Sequence, residues 1–82
     1  MKKILYFSAQ WCGPCKQLAP IVNNLVSEGL PITKIDVDAD PNMSAQYAIR
    51  SIPTMVVIDG NGIEVNRTSG ARTPQDIKNL LN

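Results

Sequence analysis

Cys12 and Cys15 are the only cysteines in this 82-residue chain, standing three apart in Trp11-Cys12-Gly13-Pro14-Cys15 with Lys16 next. Two thiols at that spacing, at the opening of a helix, can close a small disulfide without moving the backbone. A sulfur at a helix N-terminus meets unpaired N–H groups and the positive end of the macrodipole, and both favour its thiolate. Free cysteine ionises near pH 8.5, and in such motifs that value falls to roughly 3.5–7.5. Cys12 is therefore the expected nucleophile, with Lys16 adding positive charge nearby. Cys15, one turn further in, carries the less exposed sulfur and suits a resolving role. Gly13 and Pro14 keep the turn tight and leave Cys12 exposed to a partner. Spacing alone also fits two other readings, a pair of small buried residues or an inert structural disulfide.

The rest of the composition narrows the chemistry. There is no histidine, which removes Cys-His and Ser-His nucleophile pairs, His metal sites and imidazole proton shuttling. Two thiolates without imidazole fall short of the four ligands of a structural zinc site, unless two chains pool theirs. Lys16 stands where a c-type haem attachment needs histidine. The run Asp36-Val37-Asp38-Ala39-Asp40 imitates the start of a calcium loop, but Pro41 replaces its glycine and Tyr47 its bidentate glutamate. No metal is expected. Eight Lys+Arg against seven Asp+Glu leave a net charge of +1, too little to hold nucleic acid or an anionic membrane. The four-residue apolar run after Lys2-Lys3 is short of a signal peptide, and no stretch approaches a membrane span. Cytoplasmic residence is the expectation, and Asn42-Met43-Ser44 and Asn66-Arg67-Thr68 then carry no meaning as glycosylation sequons.

The elements that must position the cysteines are legible in the pattern. Residues 3–7 suit a buried strand, ended at Ser8. From Pro14, helical spacing places Leu18, Ile21, Val22, Leu25 and Val26 on one face, until Gly29 and Pro31 stop the helix; Pro20 should kink it. Residues 32–37 read as a second strand, and Asp40-Pro41 as a cap opening a short helix over 41–48. Residues 54–59 and 63–68 form two strands joined by Asp59-Gly60-Asn61-Gly62, where Asn-Gly tolerates the positive φ angles of a tight hairpin. Thr73-Pro74-Gln75-Asp76 has the form of a capping box for a last helix with Ile77, Leu80 and Leu81 inward. The order is β-α-β-α-β-β-α in a single domain, residues 1–82. A helical crossover makes its flanking strands parallel and a hairpin makes the last pair antiparallel, giving a mixed four-stranded α/β sheet with helices on both faces.

With those elements in place, the chain resembles the thioredoxin family. The resemblance rests on Phe7-Ser8-Ala9-Gln10-Trp11-Cys12-Gly13-Pro14-Cys15-Lys16 continuing to Leu18-Ala19-Pro20, on Tyr47 to Thr54, and on Ser69-Gly70-Ala71. It implies that Pro53 is the family's cis-proline, leaving nearby backbone groups free to pair with a substrate peptide. It implies further that Trp11, Gly13, Pro14, Ile52, Pro53, Gly70 and Ala71 form an apolar rim for partners, and that Lys34 matches a lysine near the site. Two departures stand out. The chain begins almost at the active-site strand, so the strand at 32–37 is expected to be an exposed edge, with Lys34, Asp36 and Asp38 discouraging edge pairing. Tyr6 occupies the place of the family's buried aspartate, and a phenol ionising near pH 10 is a poor base at pH 7. Cys15 is therefore expected to resolve mixed disulfides more slowly than in a member that has the aspartate.

The function implied is thiol–disulfide oxidoreductase. Cys12 attacks a protein disulfide, Cys15 releases the reduced product, and a thioredoxin-reductase-type donor fed by NADPH restores the dithiol. No cofactor beyond the redox-active disulfide is expected, and the chain is expected to act as a monomer. Two alternatives stand beside it. A glutaredoxin-like, glutathione-dependent reductase fits the length, but Gly13-Pro14 and Trp11 argue against it. A non-redox binding subunit of another enzyme would survive Cys12→Ser, which a redox role would not.

Overall fold

A computed structural model describes residues 1–82. In chain order the elements are β1 (Lys3–Ser8), α1 (Gly13–Ser27), β2 (Ile32–Asp36), α2 (Pro41–Gln46), β3 (Thr54–Ile58), β4 (Glu64–Ser69) and α3 (Pro74–Asn79). The sheet runs β2-β1-β3-β4, with β1 parallel to β2 and the other pairs antiparallel. This is the mixed four-stranded α/β architecture expected from the pattern, and β2 lies at one edge.

Strand alternation builds two cores on opposite faces of the sheet. Ile4 and Tyr6 of β1 with Met55 and Val57 of β3 meet Leu18, Val22 and Leu25 of α1 and Ile77 of α3. Leu5, Phe7, Val56 and Ile58 point the other way, onto Met43 and Tyr47 from the α2 segment. The Phe7 and Tyr47 rings pack tilted, with centroids 5.9 Å apart. Val26, read from spacing as inward, lies exposed at the border of the α1 stripe.

Helix ends follow the sequence signals. Asp40 caps α2 by accepting from the Met43 N–H at 3.2 Å, and Thr73 and Asp76 form a reciprocal capping box on α3. At the end of α1, Gly29 takes φ +98° while the Leu30 N–H returns to the Leu25 carbonyl. This closure is a Schellman motif. Helix α2 ends in the same motif two residues before the expected limit, with Ala48 rather than glycine at the left-handed position, φ +52°. No sequence signal marks that ending.

The hairpin differs in detail from expectation. Only Gly62 adopts positive φ; Asn61 does not. The Asp59 carboxylate accepts from the Asn61 and Ile63 N–H groups, and the Gly62 N–H donates to the Asp59 carbonyl. The connection is thus a wider turn with a left-handed glycine rather than a two-residue turn, and register slips between Val57 and Ile58. Asp59 organises it because its side chain satisfies backbone donors that a tight turn would pair with the opposite strand.

Candidate active site

Each part of the site is placed by an element boundary at one end of the sheet. In the β1–β3 register Phe7 lies opposite Thr54, and in the β3–β4 register Thr54 lies opposite Ser69. The loop after β1, which carries Cys12, therefore meets the residue before β3, Pro53, and the residue after β4, Gly70. The Gly70 N–H donates to the Pro53 carbonyl at 2.8 Å, and the Ile52–Pro53 peptide bond is cis.

Cys12 is the N-cap of α1 and Cys15 lies in its first turn, with Cα atoms 5.2 Å apart and the sulfurs joined as a disulfide. The Cys15 N–H donates to Cys12 Sγ at 3.1 Å. A side-chain acceptor at this position normally satisfies an orphan donor of the first turn, and here the acceptor is the sulfur itself. After reduction the same N–H and the helix dipole face whatever negative charge Cys12 carries.

Cys12 is not the exposed residue that its place before the helix suggests. It is 5% exposed, against 3% for Cys15. Its sulfur lies 3.8 Å from the Ile52 carbonyl oxygen, and both cysteines pack with Ala9, Val37 and Ile52. The segment before β3 folds over the sulfur, a long-range contact that spacing within the motif does not encode. Pro53 is likewise fully buried beneath the rim rather than part of its surface. Gly13, Pro14, Gly70 and Ala71 are exposed, and Trp11 stands out at 67% exposure.

The Trp11 indole N–H donates to Asp38 Oδ2 at 2.7 Å, so the ring is tethered although open to solvent. Its place in the sequence marks Asp38 only as an edge charge. The partners lie 27 residues apart, and no local signal pairs them.

Tyr6, 2% exposed, donates a long hydrogen bond of 3.5 Å from its hydroxyl to the Cys15 carbonyl. Burial pushes its phenol above the ordinary value near 10, partly opposed by a hydrogen bond with Ser8. The phenol is neutral at pH 7 and is no base for Cys15. Lys34 Nζ donates to Asn23 Oδ1 of α1 at 2.7 Å, and with Lys16 it borders a cleft that reaches Cys15. No three His, Cys, Asp or Glu side chains gather in a way that could hold a metal ion.

A family model described as Thioredoxin matches residues 1–82. The chain belongs to the thioredoxin family. It is 38% identical over 81 residues to a thioredoxin of Chlamydia trachomatis, covering 95% of this chain and 78% of that protein. It is 44% identical over 69 residues to a bifunctional thioredoxin reductase/thioredoxin of Mycobacterium leprae, covering 80% of this chain and 15% of that protein. Among solved structures it superposes on Fasciola hepatica thioredoxin with a TM-score of 0.86 at 36% identity, covering 98% of this chain and 78% of that one. As a thioredoxin-family protein with its cysteine pair in bonding position, it is a protein disulfide oxidoreductase that works through a redox-active disulfide. No helix is long and apolar enough to cross a membrane.

Proposed function

We propose that this thioredoxin runs in the reducing direction, as an electron carrier to protein disulfides, with residues 1–82 acting as one domain. One observation supports exchange at this pair, Cys12 Sγ capping α1 and receiving the Cys15 N–H, while the direction follows the thioredoxin relatives. A larger thiolate fraction there speeds attack, and Cys15 is held close by in the first helical turn, its Cα 5.2 Å from that of Cys12, to complete the exchange. Cys12 attacks a substrate sulfur and the substrate's other sulfur leaves as thiolate. Cys15 then attacks Cys12, the mixed disulfide breaks, and the substrate departs as a dithiol while Cys12–Cys15 is oxidised.

Trp11, Gly13, Pro14, Ile52, Gly70 and Ala71 form the docking surface, with Pro53 supporting it from below. Tyr6, Lys16 and Lys34 support Cys15 from the opposite side. The donor that restores the dithiol is a thioredoxin-reductase-type partner, a pairing that the Mycobacterium leprae relative's own description places in a single polypeptide. We assign the protein to the cytoplasm as a monomer serving redox homeostasis, because a reducing compartment keeps such a pair charged with electrons. The net charge of +1 gives nucleic acid and anionic membranes no electrostatic footing.

The test is reduction of insulin disulfides by pre-reduced protein, followed as turbidity, beside Cys12→Ser. Rapid precipitation that vanishes in the variant supports the reading. A folded, fully reduced protein without activity overturns it, and activity appearing only with glutathione would assign the glutathione-dependent alternative instead.

A further inference from the structure

Behind the site, where α1 crosses the β1–β2 edge, a cleft of about 240 Å³ opens from solvent down to Cys15. Its wall brings together Tyr6, Cys15, Lys16, Asn23, Lys34 and Asp36. A cleft of that size, open to solvent and carrying polar side chains among apolar ones, has room for water.

The charged and titratable groups facing this space can be named element by element. From β1 comes Tyr6, neutral and engaged with the Cys15 carbonyl. From α1 comes Lys16, and from β2 come Lys34, tied to Asn23, and Asp36. Asp38, just past β2, lies on the neighbouring surface with Oδ2 held by the Trp11 indole. Asp36 is therefore the single carboxylate on the cleft that reaches Cys15. Its Oδ1 accepts from the N–H groups of Asp38 at 2.8 Å and Ala39 at 3.3 Å, which fixes the side chain, while Oδ2 has no protein partner.

We propose that Asp36 takes up the proton of Cys15, through water in this cleft, during the resolving step. The proposal rests on the roles assigned above to Cys12 and Cys15. The Cys15 S–H bond breaks and its proton passes by water to Asp36 Oδ2 and on to solvent. The Cys15 sulfur forms its bond to Cys12 Sγ as the bond from Cys12 to the substrate sulfur breaks. The substrate sulfur leaves with that electron pair and is protonated by water. Lys16 and Lys34 favour the transient anion on Cys15, and the chain needs no carboxyl at position 6.

Ellman's reagent, a small aromatic disulfide, tests this in a single trace. Attack by Cys12 releases one coloured thiolate at a rate that scales with reagent concentration. Resolution by Cys15 releases a second at a rate independent of it. Asp36→Asn keeps the amide oxygen that the turn at Asp38 and Ala39 requires and removes the proton acceptor. The second release is expected to slow at least about tenfold between about pH 5 and pH 7, with the gap closing toward pH 9, where solvent hydroxide deprotonates the thiol. The first release stays unchanged, Asp36→Glu restores the second, and Glu28→Gln, remote at the far end of α1, changes neither. Equal second-release rates for Asp36→Asn and the native protein across the pH range would overturn the proposal. So would failure of Asp36→Glu to recover. A native protein that lacks the Cys12-dependent first release or the Cys15-dependent second release would instead overturn the underlying cysteine assignment.

Discussion

Position 6 shows how one side chain divides structure from chemistry. Tyr6 fills the core on the α1 face beside Leu18 and Met55, and only its hydroxyl reaches the Cys15 carbonyl. Because the phenol is neutral and its bond long, Tyr6→Phe is expected to leave the resolving rate within about twofold and to cost about 0.5–1.5 kcal/mol. Stopped-flow rates and urea melts check both parts, and a tenfold slower resolution would put the phenol in the reaction. Tyr6→Asp is expected to resolve faster than the native protein, but to lose about 3 kcal/mol or more from an emptied core position and a buried carboxyl. At Cys15 itself, Cys15→Ser should leave attack intact and trap the substrate on Cys12, an adduct visible by mass spectrometry. Much of this scale was legible: the cysteine pair, its place at the start of α1 and the unusual residue at 6 are all visible in the sequence. Burial of Cys12 and the tether from Trp11 to Asp38 were not, because they depend on segments that meet only when the sheet closes.

At the scale of elements, two helices share one kind of ending and differ in one atom group. Gly29 closes α1 without strain, whereas Ala48 holds the same left-handed position after α2. A β-carbon there costs about 1–2 kcal/mol, part of which glycine returns to the unfolded chain as entropy. Ala48→Gly is expected to raise stability by up to about 1 kcal/mol, and Gly29→Ala to lower it by a similar amount. Denaturant melts decide, and a loss in Ala48→Gly would show that the methyl group packs usefully. The hairpin supplies a pH-dependent counterpart. Hydrogen bonds from the Ile63 and Asn61 N–H groups lower the Asp59 carboxyl below its ordinary value of 3.8. A folded value below the unfolded one contributes stability above the unfolded value, and that contribution disappears as pH falls through the folded one. Asp59→Asn should therefore flatten the loss of stability below about pH 4, seen by comparing melts at neutral and acid pH. Periodicity, proline and caps made element types readable here. What they could not show was a helix ended by alanine or a turn governed by a side-chain oxygen, since neither has a residue signature of its own.

For the whole molecule, sheet order explains why a short chain can assemble a site from distant parts. Antiparallel β1–β3 and β3–β4 pairs bring residues 12, 53 and 70 to one end without a long loop, and the parallel β1–β2 pair adds 36 and 38. The order of elements was readable from sequence, whereas the meeting of residues 12, 53 and 70 was implied only by the family resemblance and the part of 36 and 38 not at all. The disulfide contributes to holding this frame within a bound set by its short loop. It closes a loop between residues three apart, worth about 2 kcal/mol by chain entropy. Reduction is accordingly expected to lower the thermal midpoint by no more than about 15 °C, checked by calorimetry with and without dithiothreitol. A larger drop would mean that the dithiol form repacks. The hydrogen bond from the Cys15 N–H to Cys12 Sγ has a consequence beyond any single turnover. That N–H is aimed at the sulfur only where the first turn of α1 is formed. Unfolding therefore uncouples two things the fold holds together, a sulfur favoured as thiolate and a sulfur shielded from solvent, and returns Cys12 to the ordinary thiol of a loose peptide.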